Sequence, residues 1–165
     1  MPQEFNMQEA LKLAVQTEKN VMDFYKKAAE ITKNPKAKKV FELLSKEERE
    51  HASHFFHLYR GGDLGTFEEF ISSPPHPDTA MLRELEKALD ENVHERKAME
   101  IALREEDDLA KNLTITASRI VDPGVRAVFE RMVRETRDHY EIIESEYAHL
   151  MAMVHETDID IFVRE

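Results

Sequence analysis

The chain has 165 residues, 35% of them charged, with only four glycines, six prolines and a formal net charge of −11. That balance favours long, solvent-washed helices over a sheet and argues against nucleic acid or an anionic membrane as a partner. With no cysteine, disulfides, thiolate chemistry, iron–sulfur clusters and Cys₄ metal sites are excluded. The length suits one domain with a proper core. No apolar run is long enough to span a bilayer. The opening Met1-Pro2-Gln3-Glu4-Phe5 lacks the basic and apolar regions of a signal peptide, so a cytoplasmic protein is expected.

Asn6 and Glu9 form a capping box that opens the first helix. Its buried stripe reads Leu11, Val15, Glu18, Met22, Tyr25, Ala29, apolar except for one carboxylate and the tyrosine hydroxyl. It stops at Lys33-Asn34-Pro35, where Asn34 caps the next helix and Pro35 takes its first position. The second helix is predicted from Pro35 to about Arg60, ending at Gly61-Gly62. The short connection makes the pair an αα-hairpin. Residues 66–72 allow one or two helical turns, and the proline-rich 72–78 cannot be helix interior. Met81–Asp90 reads as helix. Asn92 and Glu95 suggest a second capping box with a kink or new start near Asn92, although one long helix over 79–120 fits the same residues.

The second helix carries the most informative stripe: Phe41, Leu44, Glu48, His51, Phe55, Leu58. Two of these six core-facing positions are a carboxylate and an imidazole. A bare carboxylate facing a core costs several kcal/mol unless something compensates it, on the order of half a domain's net stability. Glu48-x-x-His51 sets both side chains one turn apart on one face, a spacing by which bundle helices present ligands to a metal.

Shifted by 88 residues, the chain aligns with itself without a gap from about Ala10 to Tyr59. Ala10 meets Ala98, Glu18 meets Glu106, Pro35 meets Pro123, Val40-Phe41-Glu42 meets Val128-Phe129-Glu130, His51 meets His139 and Tyr59 meets Tyr147. Asn34 meets Asp122, another good cap before a proline. The second half therefore reads as a second hairpin. Its stripes are Met99, Leu103, Glu106, Ala110, Leu113, Ala117 and Phe129, Met132, Thr136, His139, Ile143, Tyr147, Leu150. Two such hairpins with a long connection give an all-α four-helix bundle: hairpin one over 6–60, crossover 61–92, hairpin two over 93–150, and a C-terminal tail over 155–165. Pseudo-twofold packing brings Glu18, Glu48, His51, Glu106 and His139 to one level, where clustered carboxylates need cations or protons. Carboxylates with two imidazoles suit iron or manganese, and also zinc.

Other candidates have plainer readings. His54 flanks the core and His57 is surface. Glu91-x-x-His94 repeats the ligand spacing but falls more than two turns before Glu106, off the level of the cluster. Tyr25 is read as packing, and the stripe methionines Met22, Met99 and Met132 as core filler.

On Glu18, Glu48-x-x-His51, Glu106 and His139, over about residues 6–150, the sequence resembles the rubrerythrin-like di-iron carboxylate proteins of the ferritin-like superfamily. The resemblance implies two irons held between the helices, with a Glu from helices one and three and a Glu-x-x-His from helices two and four. It implies reduction of peroxide or dioxygen, or iron oxidation, and a homodimer. The pattern breaks at Thr136, where a bridging Glu is expected, and at Leu109, where rubrerythrins proper carry a further Glu. Without cysteine there is also no rubredoxin domain in these residues, so redox turnover would need a separate electron-donor protein. Glu135, at i−4 from His139, could turn inward in place of the missing bridge, or it could be a solvated neighbour like Glu47, its counterpart in the repeat. Two functional readings follow: a peroxidase or ferroxidase, or a non-catalytic metal-binding or iron-sequestering bundle whose second metal site is partly degenerate. The apolar stretch Ile159–Val163 is expected to pack on its own bundle or on a neighbouring subunit.

Overall fold

A computed structural model gives the backbone of residues 5–76, 78–90 and 94–163, with side chains described for all of these except residues 89, 90, 94 and 153–163. Six helices follow one another among the described residues: α1 Met7–Ile31, α2 Pro35–Leu58, α3 Phe67–Ile71, α4 Ala80–Asp90, α5 His94–Arg119 and α6 Pro123–Val163. No strand occurs among them. No helix there is long and apolar enough to cross a membrane.

The caps act where the sequence places them. Asn6 Oδ1 accepts from Glu9 N at 3.1 Å. Asn34 Oδ1 accepts from Lys36 N and Ala37 N at 3.0 and 3.1 Å, with Pro35 at the first position of α2. Asp122 Oδ1 accepts from Val125 N at 3.0 Å ahead of α6. Each satisfies backbone donors that a helix start leaves free. α2 stops two residues earlier than its glycines suggest. Tyr59 is already extended (φ −78, ψ 130), and the turn is completed at Gly62, whose φ of +74 only glycine adopts without strain.

Two differences concern the second half. Glu95 is not spent on a local cap: its Oε1 accepts from the backbone N–H groups of Lys33 and Asn34, at 2.6 and 2.9 Å, so α5 ties down the turn between α1 and α2. Asn92 and Glu91 lie outside the described residues, as does the side chain of His94. α6 does not end near Leu150 but continues to Val163. Nothing between Val125 and Val163 is a glycine or proline that would stop it. At 1.5 Å per residue it is roughly 62 Å long, against roughly 38 Å for α1. How the side chains of Ile159–Val163 pack is outside the described residues.

α1 packs along α2, and α5 along α6; the two pairs face each other through α1–α5 and α2–α6. α4 lies against α1 and α5, burying Met81, Leu85 and Ala88. The predicted stripes face inward: on α1, Leu11, Val15, Glu18, Met22, Tyr25 and Ala29 are all buried. Aromatic layers bracket mid-height, with Phe55 on Phe129 (4.7 Å between centroids) and Tyr25 on Phe41 (6.1 Å). Burying a side chain of this size contributes about 1.5–3 kcal/mol, and these layers keep water from the polar residues between them.

A buried ion pair lies to one side of this core. Lys19 Nζ meets Asp23 Oδ2 at 2.6 Å, both side chains no more than 7% exposed. They line cavities bounded by Pro74 and Pro75 of the crossover. Removing one partner strands the other charge, so Asp23→Ala should lower stability by about 3–5 kcal/mol. The double change Lys19→Met/Asp23→Leu should recover most of that loss. Urea unfolding of the three proteins checks both statements.

Candidate metal centre

Five polar side chains converge between the aromatic layers. Glu18 from α1, Glu48 and His51 from α2, Glu106 from α5 and His139 from α6 are all at most 4% exposed. Helical spacing aims Glu48 and His51 from consecutive turns of one face. His51 Nδ1 stands 3.6 Å from both Glu18 Oε2 and Glu48 Oε2. His139 Nδ1 donates to Glu48 Oε1 at 3.0 Å and stands 3.7 Å from Glu106 Oε1. The two imidazole rings stack at 5.0 Å, 9° from parallel. One donor atom each from Glu48, His51 and His139 falls within 4.8 Å of the others, a set that can hold a metal ion.

The outer nitrogens face a second pair of carboxylates. His139 Nε2 donates to Glu47 Oε2 at 2.5 Å, and Glu135 Oε2 lies 3.3 Å from His51 Nε2. Glu47 and Glu135 are half-buried, and with His54 they line a cavity of about 290 Å³ that opens over the imidazoles between α2 and α6. Glu135 is therefore brought to the cluster, on the outer side of His51. Glu47 plays the matching part for His139, a contact missed by reading it as a solvated neighbour. Its position next to Glu48 in the sequence hid the fact that it reaches across to α6. Tyr25 does pack, fully buried, but its hydroxyl also donates to Glu106 Oε1 at 2.5 Å. Its place seven residues after Glu18 on one stripe was the available signal. His54 and His57 are exposed. Of Arg104–Asp108, only Glu106 is buried.

Electrostatics follow from this crowding. Burial and the neighbouring Glu48 charge push Glu106 up to about 7 and Glu18 well above the usual carboxylate range. Burial acts upward on Glu48 too, but the neighbouring Glu18 carboxyl and the His139 and His51 imidazoles outweigh it and hold Glu48 far below that range. Burial alone would lower the imidazoles. The adjacent Glu18 and Glu48 carboxylates raise His51 to about 10, and those of Glu106 and Glu48 raise His139 to about 11. Burial and the Glu106 charge push the Tyr25 hydroxyl up, so it stays a donor.

Protons do not satisfy the cluster. Both oxygens of Glu18, one oxygen each of Glu48 and Glu106, His51 Nδ1 and Thr136 Oγ1 are buried without a hydrogen-bond partner. Each such atom costs about 1–3 kcal/mol, and folded proteins hold few of them. Here they share one place and are almost all oxygen and imidazole donors, the set that iron, manganese or zinc takes. The residues present fit a divalent metal ion.

Without metal, Glu18, Glu106, His51 and His139 bind more protons folded than unfolded. The metal-free protein should therefore lose stability as pH rises from about 5 through about 11, since raised groups stabilise only while they stay protonated. Ion binding displaces those protons, so metal affinity should rise over the same range. Urea unfolding across pH tests the first statement. Titration with Mn(II) in two buffers of different ionisation enthalpy tests the second, with protons released on loading.

The sequence model of the Rubrerythrin family matches residues 9–147. No curated protein and no solved structure matches the chain. The family match takes in all four long helices up to Tyr147 and every one of the converging carboxylates and imidazoles, and the chain belongs to the Rubrerythrin family.

Proposed function

We propose that the chain is a di-iron carboxylate protein that reduces peroxide or dioxygen, or oxidises iron. Glu18, Glu48, His51, Glu106 and His139 are its ligands, and Glu47 and Glu135 are their outer partners. The observation that carries this reading is the cluster of buried, partnerless donors at one level of the bundle. When bound, two irons would supply the electrons for the reduction.

The chain's own residues do the rest. Glu47 and Glu135 accept from the outer nitrogens of His139 and His51, which fixes each ring and turns its Nδ1 inward. Tyr25 donates its hydroxyl proton in a hydrogen bond to Glu106 Oε1 and steadies that carboxylate. Phe55, Phe129, Tyr25 and Phe41 exclude bulk water above and below. The cavity over the imidazoles is a route for small molecules. Electrons for repeated turnover would come from a separate donor protein, and a homodimer in the cytoplasm is the expected setting.

Thr136, in place of a carboxylate, favours a second reading: a bundle that binds iron, manganese or zinc without turnover. Anaerobic loading separates the two. Two Fe(II) per chain with stoichiometric oxidation on adding hydrogen peroxide supports the first; tight binding with no faster oxidation than free Fe(II) supports the second. Glu48→Ala should abolish loading of at least one ion. Glu47→Gln should weaken metal affinity by about 10–100-fold while leaving the helical circular dichroism unchanged.

A further inference from the structure

In the 88-residue register, Glu48 corresponds to Thr136 and His51 to His139. Glu48 reaches across from α2 to accept from His139 Nδ1 at 3.0 Å. The reciprocal contact would run from residue 136 of α6 to His51 Nδ1. Threonine is too short to make it. Both ends of that missing contact are left over: Thr136 Oγ1 and His51 Nδ1 are buried with no partner. Thr136 is fully buried on the face of α6 that carries His139 three residues later. Among the described residues, Glu18 and Glu48 come no nearer to His51 Nδ1 than 3.6 Å, and Glu135 lies against its outer nitrogen instead.

Charge gives the same answer. Among the inner acids, Glu18, Glu48 and Glu106 set three negative charges against the four of two divalent ions, while Glu47 and Glu135 stand on the outer side of the imidazoles; a fourth inner carboxylate would balance the ions directly. An unpaired buried charge is expensive. The missing group is about the size of formate or acetate. The threonine hydroxyl is a donor suited to one carboxylate oxygen.

We propose that Thr136 makes room for a small monocarboxylate taken from solution, which stands in for the absent side chain and is required for the second metal ion. The inference rests on the di-metal reading above. The first ion, held by acids already in excess, needs no such anion. The second binds together with the carboxylate.

The test is calorimetric titration of the metal-free full chain with Mn(II), in sodium chloride and in sodium acetate at equal ionic strength. A parallel Co(II) titration is followed by visible absorption. One equivalent is expected to bind alike in both salts, and the second to bind about tenfold or more tighter in acetate. Thr136→Glu should bind the second ion equally well in either salt. Thr136→Val, close to isosteric, should keep the dependence on acetate but need more of it. Two equivalents of equal affinity in both salts, a single equivalent that acetate does not extend, or acetate dependence that persists in Thr136→Glu would each overturn the proposal while leaving metal binding intact. No binding of either metal in either salt would instead sink the metal site itself, and this inference with it.

Discussion

Three carboxylates enclosed in a helical core are the constraint on which the rest of the structure depends. Glu18, Glu48 and Glu106 arrive from three helices with essentially no exposure. Like charges at that depth cannot all stay ionised without compensation, and the cost of leaving them bare rivals the net stability of a domain. The protein answers on two levels. Imidazoles and a tyrosine hydroxyl meet the acids directly, and the atoms still unsatisfied after that are of the kind that bind a cation. The aromatic layers that keep water out raise the cost of the bare acids and strengthen whatever compensates them.

Precision at the site comes from its supports. Each imidazole is held between carboxylates, with an inner acid facing Nδ1 and an outer acid facing Nε2. The outer acids stand at the wall of a cavity, so orientation and access are set by the same two side chains. Glu95, far from the cluster, fastens α5 to the turn between α1 and α2. That contact fixes the height of Glu106 relative to Glu18, because both helices run uninterrupted from there to their acids.

The arrangement is near-symmetric, and the departure from symmetry is chemical. Glu48 serves His139, while Thr136 leaves His51 without the matching acid. The two halves of the cluster are therefore unequal in charge and in donors, and in the proposed di-metal site the two positions would inherit that inequality.

Much of this was legible in the residues. Periodicity set the four long helices and their buried faces. Asn6, Asn34 and Asp122 marked helix starts, because capping is local and needs only a short side chain beside free N–H groups. The interruptions at Glu18, Glu48, His51, Glu106 and His139 marked the site, because a polar residue on an apolar stripe is costly wherever the stripe packs. What crosses between helices was not legible. Glu47 reaching His139, Glu135 lying outside His51, Tyr25 donating to Glu106 and Glu95 holding a distant turn all depend on how far and at what angle one helix lies from another. Sequence spacing fixes direction around one helix axis. The distance across a bundle is set by the packing of all the helices together, and only the tertiary structure decides which partner a side chain reaches.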